Sequence, residues 1–153
     1  MSKKINILYV DDEKNNLISF KALFRLKYNI YTAERGKEAI QILDSHEIHV
    51  IITDQRMPEM TGVELLETIL KTHPEPIRIL LTGYTDLNAV IDAINKGKIY
   101  HYLNKPWNEK ELDQTIQRAY EIYLQQKEDK ETAEKLMVSN EQFEFLLRQK
   151  LIS

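Results

Sequence analysis

The 153-residue sequence contains no cysteine. That excludes a disulfide scaffold, a thiol nucleophile and any cysteine-ligated zinc or iron–sulfur centre, and it fits a reducing compartment. Glycine and proline are scarce, at four each, and none lies beyond Pro106. Neither sign of charge dominates. The 21 basic and 24 acidic residues leave a net charge of −3, and the basic ones are scattered. No direct contact with nucleic acid is expected from such a balance. Long apolar runs are missing too. The run Ile5–Val10 is closed by Asp11-Asp12-Glu13, too soon for an export signal, and no stretch approaches the roughly 20 residues a membrane helix needs. The expectation is a cytoplasmic protein with no membrane contact. What is present, 42% apolar residues, suffices for a folded core.

Composition changes near Trp107. Residues 1–107 carry 14 basic and 14 acidic residues with every glycine and proline, whereas residues 108–153 carry seven basic and ten acidic residues with neither. The first part alternates. Short β-rich apolar runs stand at Ile5–Val10, Tyr28–Thr32, His49–Thr53, Ile77–Leu81 and Ile99–Leu103. Between them the apolar spacing is helical: Leu17, Phe20, Leu23 and Phe24; Ala39, Ile40, Ile42 and Leu43; Val63, Leu65, Leu66, Ile69 and Leu70; Leu87, Val90, Ile91 and Ile94. With a helix after Asn108, a βα unit repeats five times. Strands that read as unbroken apolar runs are buried on both faces, which predicts a parallel sheet covered by helices.

The polar residues fall where the strands end. The first strand runs into Asp11-Asp12, the third into Asp54, the fourth into Thr82 and the fifth into Lys105. In an open parallel sheet all carboxyl ends share one edge, and ligands bind there. Taken singly, each of these residues is most often a helix cap or a solvated loop residue. Together they place three carboxylates, a hydroxyl and an ammonium at one edge. Gathered carboxylates raise one another's pKa, and one lysine does not neutralise three. A hard divalent cation does, and Mg²⁺ accepts a few oxygen ligands while keeping waters. A metal held this way favours a phosphoryl group, and a carboxylate can itself become an aspartyl-phosphate. Asp54 stands alone at its strand end and is the candidate nucleophile. Asp11 and Asp12 are the candidate metal holders, and Lys105 and Thr82 the donors to phosphoryl oxygens.

The tail begins with a helix-start signature, with Asn108 as cap, Glu111 three residues on, and Trp107 and Leu112 as a staple. Leu112, Ile116, Ala119 and Tyr123 form an apolar stripe for packing on the sheet. Residues 125–132 are almost wholly polar, and Leu136, Met137, Val138, Phe143, Leu146, Leu147 and Leu151 are apolar again. Ser139-Asn140-Glu141-Gln142 reads as a second capping box, so either one helix runs to Leu151 or it breaks near Ser139. An exposed stripe of this kind packs on its own domain, pairs with a second copy or binds a partner. No recognition-helix pair with a tight glycine turn is present.

These stretches resemble the receiver domain of two-component response regulators, of the CheY-like kind. The resemblance rests on Ile5-Asn6-Ile7-Leu8-Tyr9-Val10-Asp11-Asp12-Glu13, on Ile51 through Gly62 with Asp54, Met57 and Pro58, on Ile79-Leu80-Leu81-Thr82-Gly83-Tyr84, and on Tyr102-Leu103-Asn104-Lys105-Pro106-Trp107. It implies a flavodoxin-like (βα)5 doubly wound sheet of order 2-1-3-4-5; with the tail as read above, the expected division is a receiver over residues 1–127 and a helical extension over 128–153, either coiled-coil or partner-binding. It implies that Asp54 takes a phosphoryl group from a histidine kinase or phosphotransfer protein, making the chain a phosphoacceptor rather than a turnover enzyme. By the same resemblance Asp12 and Asp54 ligate Mg²⁺, Asp11 does so through water, and Arg56 adds its backbone carbonyl. Lys105 and Thr82 contact the phosphoryl group, the Lys105–Pro106 peptide is cis, and Thr82 with Tyr102 forms the switching pair. A homodimer through the 4-5-5 face or through the C-terminal helix is a further expectation. The segments around Leu81–Asp86 and Ile94–Trp107 resemble receivers attached to HD-type phosphodiesterase or hydrogenase-regulator outputs. Arg56 and Tyr84 are bulkier than in the simplest relatives, and both are expected to hinder hydrolysis of the phosphoaspartate. A haloacid dehalogenase-type Mg²⁺ phosphohydrolase, which also uses an Asp nucleophile, is the main alternative. It wants a second acid two residues past the nucleophile, where this sequence has Arg56.

Overall fold

The computed structural model describes residues 4–83 and 87–152. Five strands, β1 (Asn6–Val10), β2 (Asn29–Ala33), β3 (Val50–Asp54), β4 (Ile77–Thr82) and β5 (His101–Asn104), alternate with five helices. The helices are α1 (Lys14–Phe24), α2 (Gly36–Ser45), α3 (Gly62–Thr72), α4 (Leu87–Asn95) and α5 (Glu109–Ile152). All neighbouring strands pair in parallel, in the order β2-β1-β3-β4-β5. This is the flavodoxin-like arrangement. The reversal of strand order between β1 and β3 opens a crevice at their carboxyl ends.

The alternation of side chains along each strand sorts the core into two layers. Ile7, Tyr9, Ile52, Ile79, Leu81 and Leu103 pack with Leu17, Phe20 and Phe24 of α1 and with Leu112, Ile116, Ala119 and Tyr123 of α5. Leu8, Val10, Ile51 and Leu80 pack on the opposite side with residues of α2, α3 and α4. Leu112, Ile116 and Ala119 are fully buried, and a completely buried Leu or Ile contributes about 1.5–3 kcal/mol. Asn108 caps α5, its Oδ1 accepting from the amides of Lys110 at 2.9 Å and Glu111 at 3.2 Å. Thr61 caps α3 in the same manner, accepting from the Glu64 amide at 3.2 Å.

Several expectations shift. The central strands are buried on both faces, but the edge strands β2 and β5 keep exposed positions. Of the α1 stripe, Leu23 lies open to solvent, as do Leu87 and Ile91 of α4. Of the two readings of the tail, the single helix holds: α5 continues through Ser139–Gln142 to Ile152. Serine and asparagine cost an interior helix only tenths of a kcal/mol each, and no glycine or proline is present to stop it.

The chain divides into two compact units, 1–123 and 124–153. The second is helical throughout its described residues, and Leu136, Met137, Val138, Phe143, Phe145, Leu146 and Leu147 are exposed on it. Among the described residues no helix is long and apolar enough to cross a membrane.

Candidate functional site

The carboxyl ends of β1 and β3 bring together the acids. Asp11 follows β1 and is wholly buried, Asp54 closes β3 and is nearly so, and Asp12 is exposed. One carboxylate oxygen from each lies within 4.8 Å of the others. Lys105, just past β5, sets its Nζ 2.7 Å from Asp54 Oδ1 and 4.0 Å from Asp11 Oδ2. Its backbone amide donates to the Thr82 carbonyl at 3.0 Å, which ties the lysine loop to the end of β4. The Lys105–Pro106 peptide is cis.

Thr82 is buried at the end of β4, and its hydroxyl donates to the Gly83 carbonyl at 3.0 Å. Tyr102 pairs with Leu80 across β4 and β5, and its half-buried ring packs on the α2–α3–α4 side. Strand alternation thus divides the predicted residues. Lys105 has the parity of Leu103, on the α1–α5 side, whereas Thr82 and Tyr102 have the parity of Leu80. Arg56 is exposed two residues past Asp54. Tyr84 lies outside the described residues.

Burial pushes the Asp54 carboxyl above the usual carboxylate range; Lys105 opposes this and the charge of Asp11 adds to it. A carboxyl whose folded pKa exceeds its unfolded one weakens the fold above that folded pKa and leaves it untouched below the unfolded one. Asp54→Asn is therefore expected to raise the thermal midpoint at pH 7 in magnesium-free buffer. The gain should vanish as pH falls below the ordinary carboxylate pKa. A lower midpoint at pH 7 would show that Lys105 outweighs burial.

Four contributors escaped the sequence reading. Tyr9 sits two residues before Asp11, on the same side of the strand, and its buried hydroxyl donates to Asp11 Oδ2 at 3.1 Å. Asn16 Nδ2 donates to the same oxygen at 3.1 Å, and the Glu13 amide donates to Asp11 Oδ1 at 3.0 Å. Gln55 clamps the start of α3: its carbonyl accepts from the Gly62 amide and its Oε1 from the Val63 amide, both at 2.9 Å. The period of two that placed Asp11 at the edge would have found Tyr9, since a polar tip on a core-facing strand position needs a partner.

The donor set is all hard oxygen and carries excess negative charge, which suits Mg²⁺. The spacing allows one ion to be shared directly or through water. No buried side-chain nitrogen or oxygen among the described residues lacks a partner.

The family profile described as the response regulator receiver domain matches residues 7–117. The hydrogenase transcriptional regulatory protein HoxA of Bradyrhizobium diazoefficiens is 33% identical over 84% of this chain and 26% of its own length. The DNA-binding transcriptional regulator NtrC of Escherichia coli is 32% identical over 77% of the chain and 25% of its own. The chain therefore spans about a quarter of the curated relatives it matches. Among solved structures, the signal receiver domain of an HD domain-containing protein from Pseudomonas fluorescens superposes with a TM-score of 0.77, at 35% identity over 84% of this chain and 95% of that one. An adenylate cyclase structure from Rhodopirellula baltica gives 0.84, at 28% identity over 87% of this chain and 99% of that one. With its sheet order and acid cluster already in place, this chain belongs to the family of response regulator receiver domains.

Proposed function

We propose that Asp54 is the phosphoacceptor of a two-component relay, taking its phosphoryl group from a histidine kinase or phosphotransfer protein. The observation that carries this is the Lys105 ammonium at 2.7 Å from a nearly buried Asp54, beside two further carboxylates. A carboxylate oxygen of Asp54 attacks the phosphorus of a phosphohistidine. The P–O bond forms as the P–N bond breaks, the bond's electron pair goes to the ring nitrogen, and the imidazole, already protonated on its other nitrogen, leaves neutral. Lys105 turns from the carboxylate to the new phosphoryl oxygens, where a cation stabilises the charge that develops. Asp12 and Asp54 would hold Mg²⁺ directly, Asp11 through water, and Arg56 through its backbone carbonyl. When bound, the ion neutralises phosphoryl charge and orients the transferring group.

Thr82 then rotates its hydroxyl from the Gly83 carbonyl toward the phosphoryl group, and Tyr102 follows into the space released. That local charge event biases a two-state face built from α4, β5 and the first part of α5. Leu87, Ile91 and Tyr100 are exposed there, which suits a contact with a second copy or a target. Residues 128–153, with their exposed apolar side chains, serve the same end as a coiled-coil or partner-binding helix. Arg56 screens the phosphoaspartate from water and lengthens its life. The receiver works in the cytoplasm and acts through a contact rather than through catalytic turnover of its own.

Mass measurement after incubation with acetyl phosphate and Mg²⁺ tests the reading. The wild type should gain one phosphoryl group and Asp54→Asn none, while Arg56→Ala should gain it and lose it faster. Labelling that survives in Asp54→Asn, or turnover of a small phosphoester, would overturn the assignment.

A further inference from the structure

Asp11 is more closely held than a water-linked metal ligand requires. A carboxylate offers about four acceptor positions. Three are taken: Oδ2 by the Tyr9 hydroxyl and Asn16 Nδ2, both at 3.1 Å, and Oδ1 by the Glu13 amide at 3.0 Å. One position, on Oδ1, remains. The Tyr9 side chain is firmly held. Its residue is 1% exposed, and its ring lies flat on Phe20, with centroids 4.2 Å apart and planes within 2°. An aromatic ring in such a stack is fixed in direction, so the donor stays on Oδ2.

We propose that Tyr9 is a positioning residue that confines Asp11 to a single acceptor contact and thereby sets the preference of the acid pocket for Mg²⁺ over Ca²⁺. The inference rests on the Mg²⁺ reading of the pocket. Ca²⁺ takes six to eight oxygens, often with both oxygens of one carboxylate, at 2.3–2.6 Å. Mg²⁺ demands a near-octahedral shell at 2.0–2.1 Å and keeps its waters. A carboxylate with one acceptor position left serves a Mg²⁺-bound water and is denied the two-oxygen grip that Ca²⁺ favours. Removing the Tyr9 hydroxyl returns a position on Oδ2 and permits that grip.

Groups that orient a ligand from behind typically hold ten- to a hundredfold of metal affinity. Tyr9→Phe keeps the ring and its stack while deleting the donor. Trp107, the single tryptophan, lines a groove of about 380 Å³ with Tyr9, Asn16, Ser19, Lys105 and Pro106, so its fluorescence reads the site. The experiment titrates the full chain with Mg²⁺ and with Ca²⁺, by calorimetry and by Trp107 fluorescence. The wild type should bind Mg²⁺ more tightly. Tyr9→Phe should weaken Mg²⁺ about tenfold and leave Ca²⁺ unchanged or tighter, so the selectivity ratio falls. Asn16→Ala, at a half-buried position, should move the ratio in the same direction and serves if Tyr9→Phe does not fold. Equal weakening of both ions, or no change in either, overturns the role of Tyr9. Failure of the wild type to bind Mg²⁺ instead overturns the reading of the pocket itself.

Discussion

Phe20→Ala is expected to cost the domain about 3–5 kcal/mol, the usual loss when a fully buried Phe is cut back. Phe20 has no solvent exposure and is the hub of the α1–α5 layer. It stacks on Tyr9 at 4.2 Å, meets Phe24 at 4.9 Å and takes the edge of Trp107 at 6.1 Å. Aromatic pairs contribute about 0.5–1.5 kcal/mol beyond the area they bury, so the loss falls on three contacts at once. Urea unfolding of the wild type, Phe20→Ala and Ile18→Ala checks it. Ile18 lies on the same helix but is 65% exposed, and its replacement should stay within about 0.5 kcal/mol. A Phe20→Ala loss no larger than that of Ile18→Ala would mean that the ring cluster does not hold α1 to the sheet.

Gly62→Ala should act on the site as well as on stability. A Cβ at residue 62 would stand 2.4 Å from the Asp54 carbonyl oxygen and 2.7 Å from Leu80 Cδ1. The leucine can turn aside. The carbonyl belongs to the backbone of Asp54, the proposed phosphoacceptor, and moves only if Asp54 moves with it. Overpacking of this sort costs about 1–3 kcal/mol, and a displacement near 1 Å at a reacting group can cost about a hundredfold in rate. Phosphorylation by acetyl phosphate should slow by about that factor. Gly83→Ala is the control, because nothing lies within 4 Å of a Cβ there and its backbone is not left-handed. Equal phosphorylation rates for the two alanine variants would show that the start of α3 yields without disturbing Asp54.

The order of elements was legible because each strand's apolar run and each helix's stripe has its own period. The acid cluster was legible because parallel topology forces the carboxyl ends of β1, β3, β4 and β5 to one edge. What the sequence left open has a physical reason in each case. Leu23, Leu87 and Ile91 carry apolar side chains at helical spacing, yet periodicity does not fix how wide a stripe the sheet covers. The Ser139 box left two readings open, and the continuous helix is the one found, since a capping residue ends a helix only where the backbone leaves helical geometry. Tyr9 was read as core because most of it is core. Its hydroxyl, pushed well above the ordinary tyrosine pKa by burial and then by the charge of Asp11, belongs to the pocket.

Tyr102 and Lys105 stand three residues apart on one edge strand and its outgoing loop, and an odd separation sends them to opposite sides of the sheet. The buried Leu103 lies between them. On the roles proposed for these two residues, a single residue inserted between them would bring both to one side of the sheet and part the phosphoryl contact from the ring that answers it.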